Sequence, residues 1–349
     1  MRFAIVLAVA GCSADQGWSR TEKLELIRDV AAQMGVHNGA LFAGIAISET
    51  QLAHCWSEAT YACKGPASPS CDGEPVIAGS ADGPCTAEQG GLGMFQFDAG
   101  RYGETLAVYG DDILTIEGNT AQAVSLVIDR AREQMAGVND WMTAARYLDN
   151  VPLVAGDPAT ELWARFLACH YNGCCAETEM CAERAAGYRD NAIAAFTERG
   201  AEFWDTHARC AQLPEDGIVD QRTDCYVAGG TPRFWRHEPS GFGDDQEWTL
   251  TTDAPAPANF ARWLLPAVGT YELSVFIDGG DAAQASYRVV RGETIDTVVI
   301  DQIAVSDFVS LGTFVLTDPG STYVELGDNT GIAQQKLVFD ALRATRVGP

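Results

Sequence analysis

A glutamate that closes an apolar run is the first residue of this sequence able to do chemistry. In "GIAISETQLAHC", residues 44 to 55, Glu49 stands where apolar periodicity stops and a cysteine-rich stretch begins. Desolvation at such a place disfavours the carboxylate and raises its pKa, as a general acid requires if it is to stay protonated near neutral pH. Two later segments offer polar and glycine partners: "GLGMFQF" at 91 to 97 and "CHYNGC" at 169 to 174. Read singly, a solvated helix end and two tight turns account for all three. Nearby acids that could act as a second catalytic carboxylate, Glu58, Asp72, Glu74 and Asp98, lie in no motif that fixes their position and read as solvated loop residues.

Other chemistries find little footing. The chain has no G-x-S-x-G elbow, no P-loop and no H-E-x-x-H, and "GLGMFQ" lacks the third glycine of a dinucleotide fingerprint, so no cofactor is expected. Eleven cysteines, less Cys12, leave Cys55, Cys63, Cys71, Cys85, Cys169, Cys174, Cys175, Cys181, Cys210 and Cys225. An even set in an exported chain reads as up to five disulfides. Zinc is the rival reading, but there is no C-x-x-C and no H-x-x-x-H, so no metal site is expected. A thiol nucleophile beside His54 or His170 is less economical than a disulfide. His37, His207 and His237 read as surface or packed residues.

The elements that must position Glu49 come from a chain long enough, at 349 residues, for two domains. Residues 1 to 11 read as a signal segment: Arg2, then an apolar run from Phe3 to Ala10 too short to span a bilayer. "VAGC" at 9 to 12 resembles a bacterial lipobox, which implies lipidation of Cys12 and a membrane partner through that anchor; an ordinary secretory signal shares most of these features. Residues 12 to 20 read as a tether. From Thr21, a plausible N-cap, to 211 the pattern is helical, with "TEKLELIRDVAAQMG", 120 to 137, 159 to 173 and 182 to 200 as its clearest helices. A long Gly/Pro/Ser/Cys-rich insert, Cys55 to Gly93, interrupts it. All cysteines precede residue 226. After a linker at 212 to 225, short alternating strands from "EWTLTT" to "KLVFDALRATRV" predict an antiparallel β-sandwich over 226 to 349. The formal charge of -25, from 23 basic and 48 acidic residues, excludes nucleic acid as a partner. An anionic polymer would have to be held by shape, hydrogen bonds and stacking.

In order and spacing, the three motifs resemble the soluble lytic transglycosylase family of the lysozyme superfamily, whose pattern runs E-S, G-L-M-Q, A-Y-N-A-G. Glu49 with Thr50 stands for the first, Gly93, Met94, Phe95 and Gln96 for the second, and Tyr171, Asn172 and Gly173 for the third. The resemblance covers roughly residues 21 to 210 and departs from the pattern at Thr50, at "GMFQ" and at His170. It implies a mainly α, lysozyme-like domain carrying a disulfide-rich insert. It also implies cleavage of the bond between N-acetylmuramic acid and N-acetylglucosamine in peptidoglycan, with Glu49 acting alone as acid and then base and a 1,6-anhydro ring as product. Thr50, Gly93, Met94, Gln96, Tyr171 and Asn172 would line the substrate, Gly93 by letting backbone approach sugar, while core packing beside the cleft accounts for Met94 and Phe95 at least as well.

The second half resembles the golvesin C-terminal domain, described as similar to the carbohydrate-binding domain of xanthan lyase, through Phe308 to Phe314 and Asp340 to Arg343. That resemblance implies a polysaccharide partner, with Trp235, Phe242, Trp248 and Trp263 as stacking candidates, although Trp263, in a strand, reads more readily as core. "FGDD" at 242 to 245 is a calcium candidate or a solvated acidic turn. The expectation is an exported, periplasmic or cell-surface, peptidoglycan-cleaving lipoprotein. A goose-type lysozyme-like hydrolase and an inactive surface adhesion protein are the rivals.

Overall fold

The computed structural model of the chain describes residues 18–54, 91–303 and 305–348. The expected signal segment, Cys12, the insert cysteines Cys55, Cys63, Cys71 and Cys85, and the acids Glu58, Asp72 and Glu74 lie outside the described residues. Among the described residues the first half is helical: α1 (Arg20–Gln33), α2 (Ala40–Thr50), α3 (Tyr102–Tyr109), α4 (Ile116–Gln134), α5 (Trp141–Asp149), α6 (Pro158–His170), α7 (Glu179–Arg199) and the single turn α8 (Ala201–Trp204). Local chemistry sets where these helices start. Ser19, not Thr21, caps α1: Glu22 N donates to Ser19 Oγ at 3.2 Å and Ser19 N to Glu22 Oε2 at 2.6 Å. The expected tether therefore gives up Arg20 to the helix, where it pairs with Glu198 of α7 at 2.8 Å. Asp157 caps α6, with Pro158 in the first turn, and Thr178 caps α7.

The helix that ends on Glu49 lies at the centre of this half. α2 is apolar on every side, and Ala40 through Ile47 are all buried. A helix of that kind is stable only when surrounded. It packs on α1 and, antiparallel, along α7. Gly44 permits the second contact, since a Cβ there would lie 2.6 Å from Ala192 Cβ.

From residue 218 onward the described chain is β apart from one helical turn at Pro232–Phe234, and every strand pairing is antiparallel. One sheet runs β1 (Ile218–Val219), β12 (Leu342–Gly348), β6 (Gly269–Asp278), β9 (Ser306–Leu316). The other runs β2 (Tyr226–Gly230), β5 (Asn259–Leu264), β10 (Thr322–Gly327), β7 (Ala285–Arg291), β8 (Thr294–Ile300). A small third sheet joins β11 (Lys336–Phe339), β4 (Gln246–Leu250) and β3 (Arg236–Glu238). Leu273, Val275 and Ile277 of the first sheet share one core with Trp263, Tyr287, Val289 and Val324 of the second, so the two sheets are layers of a sandwich.

The segment 212–225 is not a free linker. Ile218 and Val219 pair with Arg343 and Leu342, and the Cys210–Cys225 disulfide closes the loop that holds them. The expected single strand at "KLVFDALRATRV" divides at Asp340. That residue's carboxylate accepts from Phe242 N at 2.8 Å and Ala341 N at 2.7 Å, while its carbonyl accepts Trp263 Nε1 at 2.7 Å. Burial pushes the Asp340 carboxyl up to about 7, against the pull of those two backbone donors. The segment behind the second resemblance is thus a corner that holds three elements together.

The two halves share packing. Phe260 of β5 is buried in the helical core, edge-on to Trp141 at 6.2 Å, and Arg233 Nη1 donates to the Val108 carbonyl at 2.5 Å.

Candidate active site

α2 delivers Glu49 at its last turn, and the chain then leaves sharply. Gln51 (φ 56°) and Leu52 (φ 68°) are both left-handed without being glycine. The turn is secured by Gln51 Nε2 on the Ile47 carbonyl at 2.8 Å and by the buried Lys23, whose Nζ donates to the Leu52 carbonyl at 2.7 Å.

Glu49 itself is partly buried. Its Oε1 accepts the hydroxyl of Tyr188 from α7, the residue that antiparallel packing sets opposite. Burial pushes the Glu49 carboxyl above its ordinary range, while the Tyr188 bond and the Arg184 charge pull it back. Tyr188 answers in kind: burial and the neighbouring Glu49 charge hold its hydroxyl far above the usual tyrosine range, so it remains a donor. With Oε1 occupied as an acceptor, a proton carried by Glu49 would sit on Oε2. Among the described residues, the groups that act on Glu49 are Tyr188 and Arg184, with no second carboxyl. Asp98 is exposed and accepts Gly100 N at 2.7 Å as a turn cap.

The other two motifs converge on the same place. "GLGMFQF" forms a tight loop closed by paired backbone bonds between Leu92 and Phe97 at 2.9 and 3.0 Å. Thr50 Oγ1 donates to the Met94 carbonyl at 3.0 Å and Tyr171 Oη to the Phe95 carbonyl at 2.5 Å, so the first and third motifs grip the second. Asn172 is exposed, beside the Tyr188 hydroxyl, whose raised pKa it pulls down slightly. Cys169–Cys175 and Cys174–Cys181 staple the segment from the end of α6 to the start of α7, which also removes Cys169 as a nucleophile.

Three expected substrate residues take other positions. Thr50 and Met94 are fully buried, the one spending its hydroxyl on backbone and the other packing in the core. Gly93 faces Asn119 of α4: a Cβ there would lie 1.8 Å from Asn119 Nδ2, and its φ is +77°. Close approach of a protein side chain, rather than of a sugar, is what requires glycine there. Gln96, with φ 57°, folds back over Gly91 and has a buried Nε2 with no partner among the described residues.

Asn119 was missed in the sequence. Fully buried, it donates to the Leu92 and Ile113 carbonyls at 3.0 and 2.9 Å and accepts Phe95 N at 3.0 Å, fixing the loop from beneath. Tyr188 and Arg184 were missed as well. The available signal was an asparagine and a tyrosine on otherwise apolar helix stripes, since such groups need partners once buried.

In the β half the four stacking candidates part company. Trp263 is buried, Trp235 packs on Phe339, Trp248 lies under Lys336, and Phe242 joins Phe276 and Phe308. At "FGDD" the Arg222 guanidinium donates to the carbonyls of Phe242 and Gly243 at 3.4 and 3.2 Å, taking the place a cation would fill. Among the described residues no cluster of three His, Cys, Asp or Glu side chains could hold a metal ion. A cavity of about 960 Å³ beside the α6–α7 staples is lined by Phe166 and His170 and by none of Glu49, Tyr171, Asn172 or Tyr188.

No family model matches the chain, and no curated protein matches it. Among solved structures, Paenibacillus xanthan lyase is similar to part of it, with 17% identity and a TM-score of 0.32, over 37% of this chain and 13% of that one.

Proposed function

We propose that this chain is an exported, lipid-anchored peptidoglycan lytic transglycosylase with a lysozyme-like helical domain, whose β half holds glycan. The observation that carries the reading is the Glu49 carboxyl, desolvated at the end of α2, with one oxygen held by the Tyr188 hydroxyl and no second carboxyl acting on it among the described residues. Protonated on Oε2, Glu49 gives its proton to the glycosidic oxygen as the bond to the muramic acid C1 breaks. The substrate's own acetamido oxygen stabilises the cation developing at C1. The carboxylate left behind, steadied by Tyr188 and Arg184, then takes the proton from the C6 hydroxyl as its oxygen closes on C1. Glu49 ends protonated, the sugar ends as a 1,6-anhydro ring, and no water is consumed.

Digestion of purified sacculi tests this. Anhydro-muropeptides are expected from the wild type, with at least a 100-fold loss of release in Glu49→Gln. Reducing-end sugars would replace the transglycosylase with a hydrolase, and no release would leave adhesion. Turnover by Glu49→Gln at the wild-type rate would remove Glu49 as the acid.

A further inference from the structure

The helical and β halves meet across a cavity of about 750 Å³. Small-ligand sites span about 300 to 1,000 Å³ and favour domain junctions. The helical wall is the turn at Asp111 and Asp112 with the start of α4 at Glu117; the β wall is the stretch from Arg233 to His237, with Glu247 of β4.

Glu247 is the polar centre of this cavity. Its side chain is 13% exposed, Oε2 accepts the Tyr226 hydroxyl at 2.8 Å, and Oε1 is 3.6 Å from Nδ1 of the exposed His237. A carboxyl so placed still has lone pairs to offer a ligand. Burial, the largest influence, pushes the carboxyl up; His237 and the Tyr226 bond pull it down, and Asp245 and Glu117 push it up further.

Donors stand nearby. Arg233 Nε is buried with no partner among the described residues, although its Nη1 is committed to backbone across the junction. Arg236 Nη1 is anchored on the Arg233 and Trp235 carbonyls. Trp235 rests edge-on against Phe339 at 4.8 Å, which fixes an aromatic ring in the wall.

Four carboxyls thus face two guanidinium groups and an imidazole around one ring. Such a lining, with carboxyls in surplus, turns an anion away and offers both donors and acceptors. It suits hydroxyl groups, each of which donates and accepts, on a molecule with an apolar face for the indole. We infer that the junction cavity is a saccharide site distinct from Glu49, taking a neutral sugar unit of one or two rings. The inference deepens the reading of the β half as the part that holds glycan, and it gives His237, unassigned from the sequence, a place in recognition. The helical wall runs straight into the support of the catalytic loop, because Ile113 and Asn119 follow the residues that line the cavity.

Titration calorimetry on the full-length Glu49→Gln chain, which removes turnover, tests the site with N,N′-diacetylchitobiose, cellobiose and maltose. At least one is expected to bind saturably, with affinity cut tenfold or more by adding Glu247→Gln and about threefold by adding His237→Ala. His237→Ala changes an exposed side chain and so guards against a misfolded Glu247 variant. Absence of saturable binding by all three, or binding that neither substitution weakens, overturns the site. Loss of sacculus digestion with this binding intact would instead count against the catalytic reading alone.

Discussion

The Glu49–Tyr188 pair makes the acid's pH behaviour predictable. Because the tyrosine bond stabilises the carboxylate, it lowers a pKa that burial raises. Tyr188→Phe should therefore raise the Glu49 pKa further, moving the descending limb of the kcat/KM pH profile to higher pH while kcat falls by about tenfold. A limb that stays put would show that Tyr188 does not act on the ionisation. Stability carries the opposite signature. With its folded pKa above the unfolded value, Glu49 keeps its proton in the folded chain through a window where the unfolded chain has lost it. The fold consequently loses stability as pH rises from the ordinary carboxyl range through the raised value. Glu49→Gln cannot ionise, so it should melt higher than the wild type at about pH 7, the gap closing near pH 4. Paired thermal melts at the two pH values check the sign.

Two helices in antiparallel contact set the geometry of that pair, and their spacing depends on one residue. Gly44→Ala would press a methyl group against Ala192, prising α2 from α7 one turn before Glu49 meets Tyr188. The expected cost is about 1 to 3 kcal/mol of stability, with a drop in kcat beyond the unfolded fraction; chemical denaturation beside kinetics at low temperature separates the two. The same contact explains what sequence could and could not convey. The long periodic segments around α4, α6 and α7 were legible because their apolar stripes recur over several turns. From β4 onward the strands were legible through alternation between regular turns. α3 and α5, at 8 and 9 residues, are too short for such a signal, and β1 is two residues whose partner lies at the far end of the chain. Glu49, Tyr171 and Asn172 stood out because motifs mark them. Tyr188 and Asn119 did not, since their roles arise only when α7 and α4 dock against segments distant in sequence.

At the scale of the whole molecule, the charge of -25 and the shared core make separate predictions. The proposed partner, an anionic wall, would repel this chain at long range, so association with sacculi should strengthen, not weaken, as salt rises from about 20 to 200 mM and screens the repulsion. Pull-down of the Glu49→Gln chain across that range reads the slope, and weakening with salt would mean that local cations such as Arg184 dominate. The second prediction concerns cooperativity. Sequence grammar suggests two independent domains, yet Phe260 of the β half is buried among helical core residues beside Trp141. Ser125 also reaches from α4 to the Gly230 carbonyl at 3.3 Å. Removing the Phe260 ring leaves a void that both halves must bear. Phe260→Ala should therefore cost about 3 kcal/mol and lower the melting of helical and strand signals together, in a single calorimetric transition for the wild type. Two wild-type transitions, of which Phe260→Ala moves one alone, would show that the halves unfold separately and that the contact between them carries no cooperativity.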